Sequence, residues 1–152
     1  KWHAHSVKNK KGVALERIDP DAATQDAANW TSASETVGYG TPGYQNSQYK
    51  DASSGGATGI EPPVWIEESG SYTVSYLLDR PGYSCRAFVF NTSGLRVADI
   101  SNHELLGISG KITWSGVANN GSPLQTGVYI FYAEIYHPEG TVKRFKKAFL
   151  IR

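Results

Sequence analysis

Four histidines and a single cysteine are the side chains of this 152-residue sequence best suited to metal or nucleophilic chemistry. His3 and His5 form an H-x-H pair. On a strand both imidazoles would point to one side, as ligands of a divalent metal do. No Cys, Asp or further His lies nearby in sequence to complete a site, so the pair reads as polar decoration. A nucleophilic enzyme needs a nucleophile and a base held by a third group. His103 and His137 fall in predicted loops or strand ends, and there is no G-x-S-x-G. Cys85 lies inside a predicted strand, with no helix N-terminus to lower its pKa, and reads as a small buried hydrophobe. Glu67, Glu68 and Glu134 could be imagined as the paired carboxylates of a glycoside hydrolase. Neighbours on a strand face opposite sides, so Glu67 and Glu68 cannot form that pair. The reading is a non-enzyme without catalytic, cofactor-binding or metal-binding residues.

Aromatic side chains offer a different chemistry. Trp2, Trp30, Tyr39, Tyr44 and Tyr49 fall in the irregular first third of the chain, and flat rings stack on sugars. They support an alternative reading as a carbohydrate-binding accessory module.

Composition bounds the elements that must position these residues. Hydrophobic residues make up 39% and charged residues 19%, which describes a globular chain. With 16 Gly, 9 Tyr and 4 Trp, it favours strands and turns over helices. A net charge of +1 argues against a partner held by phosphate neutralisation. The basic cluster Lys143, Arg144, Lys146, Lys147 reads as a solvated strand face. No run is long enough to cross a bilayer as a helix. There is no Met, and the expectation is a processed product or a piece of a larger protein.

Residues 2–7 and 13–18 read as two short strands around the turn "NKKG", with Gly12 supplying a positive φ. From Asp19 the pattern dissolves into caps and turns. "KDASSGGATG" reads as a flexible linker, placing boundaries at 1–50, 51–59 and 60–152. Beyond it the signal sharpens. In "SYTVSYLLD" the residues Tyr72, Val74, Tyr76 and Leu78 share one face. "CRAFVFN", "LRVADI", "GKITWSG", "VYIFYAEIYH" and "TVKRFKKAFLIR" follow, separated by turn signals. "VYIFYAEIYH" is apolar on both faces and is expected to be central. With "IEPPVWIE" this makes about seven strands over roughly 93 residues, the spacing of a β-sandwich.

Two resemblances attach to these stretches. Leu15-Glu16-Arg17, Asn29-Trp30, Ser32-Ala33, Gly40-Thr41-Pro42-Gly43 and Asn46-Ser47 resemble, in order, the closing part of a lamin-tail domain of Bacteroidetes secreted proteins. That resemblance implies an Ig-like sandwich of which only the last third is present. "YLLDRPGYSCRAFVFNTSGLRV", "ITWSG", "NNG" and "TGVYIFYAEIYHPEGTVKRFKKAFLIR" resemble a bacterial Ig-like C-terminal module of the flagellar hook-cap and gliding-motility-associated type. "WIEESGSY" and Trp114-Ser115-Gly116 stand where that family often carries carboxylates, so no calcium site is carried over. In a bacterial setting the sequons at Asn29, Asn91 and Asn120 mean little. The resemblances imply an all-β Ig-like antiparallel sandwich preceded by a partial lamin-tail segment. They further imply a structural, attachment or sorting module of an extracytoplasmic protein, at the cell surface or secreted, or a subunit of an outer-membrane assembly.

A lamin-tail sandwich lacking its first strands would expose an unpaired strand edge. The expectation is therefore that residues 1–50 are completed by a protein partner or by the missing part of the parent chain, rather than by the module that follows. Val13, Leu15, Arg17, Trp30, Tyr39 and Tyr44 are the candidate partner-binding residues.

Overall fold

The computed structural model describes residues 2–49 and 57–152. Among these the fold is all-β and antiparallel, with single 3-10 turns at Ala27–Asn29 and Glu35–Val37 and no longer helix. Two short strands, β1 (Leu15–Arg17) and β2 (Trp30–Ser32), pair with each other. They are followed by β3 (Gly59–Ile60), β4 (Val64–Ile66), β5 (Ser71–Leu77), β6 (Ser84–Phe90), β7 (Arg96–Leu105), β8 (Ser109–Trp114), β9 (Gly127–Tyr136) and β10 (Val142–Ile151).

These last eight strands form two sheets. One runs β10-β9-β6-β7; in the other β5 pairs with β8 along one edge and with β3 and β4 along the opposite edge. The period-2 alternation of β5 determines the join. Tyr72, Val74, Tyr76 and Leu78 all turn inward, with Ile112 and Trp114 of β8 beside them. They meet Cys85, Ala87 and Val89 of β6, Phe131, Ala133 and Ile135 of β9, and Phe149 and Ile151 of β10. Burying a side chain the size of Phe131 or Ile135 contributes about 2–3 kcal/mol. As expected, β9 is interior, paired with β10 over its whole length and with β6 on the other side. "IEPPVWIE" supplies not one strand but parts of two. Pro62 and Pro63 lack the N–H that would continue the ladder, so β3 and β4 pair separately with β5.

The start of the chain differs from its sequence reading. The Gly12 turn forms, with φ +80° and the Val13 amide bonded to the Lys10 carbonyl at 3.3 Å. Residues 2–7, however, form no strand. The Ala4 amide donates to Ser32 Oγ at 3.1 Å and His3 Nδ1 lies 3.0 Å from it, so this segment caps β2. The strand over residues 15–17 takes residues 30–32 as its partner. Of the expected linker, residues 51–56 lie outside the described residues. At its end, Thr58 Oγ1 donates to the Asp79 carboxylate and Gly59 already belongs to β3.

A larger difference concerns how this segment sits: it is hydrogen-bonded to the sandwich, while β1 and β2 remain a two-stranded sheet. Ser34 Oγ donates to the Leu105 carbonyl at 3.1 Å, and Gln48 Nε2 to the Leu106 carbonyl at 3.1 Å. The Ile108 amide donates to the Ser47 carbonyl at 3.0 Å. The Gly107 amide donates to the Tyr76 hydroxyl, which is also 3.2 Å from Thr36 Oγ1. Completion by another chain was expected because a lamin-tail sandwich without its first strands leaves a strand edge unpaired and the Gly/Ser linker does not look built to fix one part against the other. The docking here is made by polar groups, which hydrophobic patterning does not register.

Gly107 is the tightest point of the seam. A Cβ there would stand 2.4 Å from the Ser47 carbonyl oxygen, which is backbone and cannot swing aside. Gly107→Ala is expected to destabilise the protein by about 1–3 kcal/mol, read as a lowered Tm. Gly59→Ala, with nothing within 4 Å of the added carbon, serves as the neutral control. Equal Tm values for the two variants would contradict the seam.

Candidate functional site

The seam between the N-terminal segment and the sandwich is built around one carboxylate. β1 presents Glu16 on the side opposite Leu15 and Arg17, and Glu16 is only 3% exposed. Its Oε1 accepts from Thr41 Oγ1 at 2.6 Å, and its Oε2 from Ser47 Oγ at 2.7 Å and the Gln48 amide at 3.1 Å. A buried charge persists only if its lone pairs are met, and hydrogen bonds to an ionised acceptor are roughly twice as strong as neutral ones. Gln48, fully buried, spans the seam by donating to Ser32 on one side and Leu106 on the other. Ser47 Oγ also accepts from the Ser34 amide at 2.8 Å. Asn46 Nδ2 donates to the Arg17 carbonyl, and the Asn29 side chain closes the β1–β2 connection through the amide and carbonyl of Asp19. The polar residues quoted for the lamin-tail resemblance thus converge here as hydrogen-bonding groups.

The six candidate partner-binding residues do not form one patch. Val13 and Tyr39 line a cleft between the segment and the sandwich. Leu15 is 38% exposed on the outer face of β1. Arg17 stands 6.0 Å over the Trp30 ring, which also meets Trp2 at 5.9 Å. Trp30 Nε1 donates to the Thr24 carbonyl, so this ring caps the outside of the segment, whereas Trp114 packs in the core. Tyr44 is 84% exposed.

The residues weighed for catalysis are dispersed. Cys85 lies in the core, and burial, with Glu104 nearby, pushes its thiol up to about 12. His3 is on Ser32; His137 packs on Tyr83 at 5.3 Å with Nε2 3.2 Å from the Pro81 carbonyl. Glu67 and Glu68 are exposed in the turn between β4 and β5, while Glu134 on β9 pairs with Arg144 at 2.8 Å. Among the described residues no group of three or more His, Cys, Asp or Glu is placed to hold a metal.

Two features went unseen in the sequence. Gln48 looked like one more coil residue, and only its place between two carbonyls gives it a role. The outer face of the β10-β9-β6-β7 sheet is aromatic: Phe88 stacks with Tyr132 at 6.4 Å, and Arg96 lies 3.7 Å over the Phe88 ring. The signal was present in the outward positions of "CRAFVFN" and "VYIFYAEIYH", which alternate with the core-facing ones.

Two outcomes follow from these environments. Thiol reagents at pH 8 should leave Cys85 unlabelled in the folded protein and label it fully in denaturant; rapid labelling of the folded protein would contradict its burial. Burial raises the Glu104 pKa, opposed by the Ser101 hydroxyl and reinforced by Glu35. The sign is that of a carboxyl whose folded pKa lies above its unfolded one. Ionisation therefore costs stability as pH rises from the unfolded pKa through the folded one, and the cost is absent at lower pH. Glu104→Gln keeps an acceptor for Ser101 and should raise Tm at pH 7 but not at pH 3. The reverse ordering would contradict this assignment.

No family model matches the chain, and no curated protein matches it. Among solved structures it is similar to FlgD from P. aeruginosa, at 18% identity and a TM-score of 0.44, over 56% of this chain and 65% of that one. It is also similar to PorZ, described as an essential bacterial surface component of the type-IX secretion system of Porphyromonas gingivalis. That match has 16% identity and a TM-score of 0.37, over 69% of this chain and 13% of that one. The chain thus spans less than two thirds of the length of either.

Proposed function

We propose that this chain is a non-catalytic structural and attachment module of a secreted or cell-surface bacterial protein. The reading pairs a partial lamin-tail segment, residues 1–50, with an Ig-like sandwich, residues 60–152. The observation that carries it is the use made of the buried polar side chains. Glu16, Ser34, Ser47 and Gln48 hydrogen-bond to one another's backbone or side chains and to the sandwich. In an enzyme such groups would converge on a substrate; here they fasten one piece of chain to another. The result is a rigid block, suited to spacing, anchoring or sorting a larger protein. Its setting in this proposal is the bacterial surface, as a subunit of an outer-membrane assembly or as a secretion module recognised by a protein partner.

A second reading, a carbohydrate-binding accessory module, has the exposed Trp2 and Tyr44 in its favour. The Trp2 and Trp30 planes meet at 56°, which breaks the flat platform that sugar rings stack on, so attachment stands first.

The test is a secreted reporter carrying this chain at its end, produced in a bacterium with a type IX secretion system. The expected outcome is a reporter held at the cell surface, with retention weakened by Gly107→Val. Free release into the medium would overturn the attachment reading. Turnover of ester, peptide or polysaccharide substrates that disappears with His103→Ala or Cys85→Ala would overturn the non-catalytic one.

A further inference from the structure

Among the described residues two non-glycine positions have positive φ, Tyr39 at 63° and His103 at 64°, and both line the same cleft. The cleft holds about 720 Å³ and lies where the N-terminal segment meets the end of β7, with Tyr136 of β9 in its wall. That size is typical of small-ligand pockets, which run from about 300 to 1,000 Å³. Backbone strain at a non-glycine residue persists only where its surroundings hold it, and it collects at ligand sites.

His103 is the extra residue of a β-bulge: Cys85 pairs with Glu104 and Arg86 with Asn102, leaving His103 without a cross-strand partner. A bulge re-aims a side chain. The imidazole is turned against Tyr136, with ring centroids 5.8 Å apart, and its Nδ1 is 2.6 Å from Asn102 Oδ1. Val7, Val13 and Leu105 add hydrocarbon to the walls. Lys8 and Lys11 also line the cleft, and neither is in an ion pair among the described residues. Glu35 is the one acidic residue in the lining, so the two lysines outnumber it and leave the cleft net positive.

We propose that this cleft binds a small organic carboxylate with a flat apolar body. Lys8 and Lys11 meet the carboxylate, and Tyr39, Tyr136 and the His103 ring meet the body. The site is additional to the attachment role and does not depend on it.

The test titrates the whole chain with 2-naphthoate, with 2-naphthamide and with inorganic phosphate, followed by calorimetry and amide NMR shifts. Naphthoate should bind saturably and shift the amides of residues 102–105 and 136. Naphthamide, which lacks the charge, and phosphate, which lacks the body, should each bind at least about tenfold more weakly. His103→Gly removes the ring at a φ that glycine prefers, so Tm should hold or rise while naphthoate affinity falls about tenfold. A Lys8→Ala, Lys11→Ala double variant should lose affinity similarly with Tm unchanged. Absence of saturable naphthoate binding, equal binding of naphthamide or phosphate, or undiminished binding by either variant would overturn the proposal. The surface-retention assay uses none of these compounds, so either proposal can fail alone.

Discussion

A carboxylate that is 3% exposed has to be held by donors, and Glu16 is held by three: a threonine hydroxyl, a serine hydroxyl and a backbone amide. Those donors come from residues 41, 47 and 48, far along the chain from β1. Satisfying one charge therefore fixes the path of everything between. Once Ser47 and Gln48 are placed, the Ser47 carbonyl is in position for the Ile108 amide and the Gln48 amide group for the Leu106 carbonyl. Removing one partner of such a group leaves a buried charge short of donors, at a cost of about 1–3 kcal/mol or more. The N-terminal segment has few apolar contacts with which to offset that loss.

The sandwich and the segment are thus held by different physics. The sandwich is held by burial, with two sheets closing over one hydrocarbon core. The segment is held by directional bonds to the β7–β8 connection, which must be glycine at 107 to let the Ser47 carbonyl approach. Directional bonds fix geometry more tightly than burial does. The same seam fixes Tyr39, whose carbonyl accepts from the Ala14 amide and whose own amide bonds to Ser34. It thereby sets one wall of the cleft, while the bulge in β7 sets the other through His103.

Legibility in the sequence follows this division. Alternation in "SYTVSYLLD" and the two-faced apolar run of "VYIFYAEIYH" located β5 and the interior strand β9, because burial on a pleated strand repeats every second residue. The Pro62-Pro63 break was visible as residues but not as a change of pairing. The bulge at His103 left no trace, since the left-handed position carries an imidazole and not the glycine that usually marks it. Glu16 stood out in the sequence only as part of Leu15-Glu16-Arg17. Its burial depends on donors 25 to 32 positions away, and no local pattern records that.

Amide hydrogen exchange on a dilute, demonstrably monomeric sample tests the central claim that the segment and the sandwich are one folded unit. The informative probes are the Ala33 amide, bonded to the Ala14 carbonyl, the Gln48 amide on Glu16, and the Ile108 amide on Ser47. The account predicts that these three are protected together with the β5 and β8 amides around Val74 and Ile112, and that Glu16→Gln lowers the protection of all three in concert. Free exchange at Ala33 and Gln48, while β5 and β8 stay protected in the unmodified chain, would contradict it.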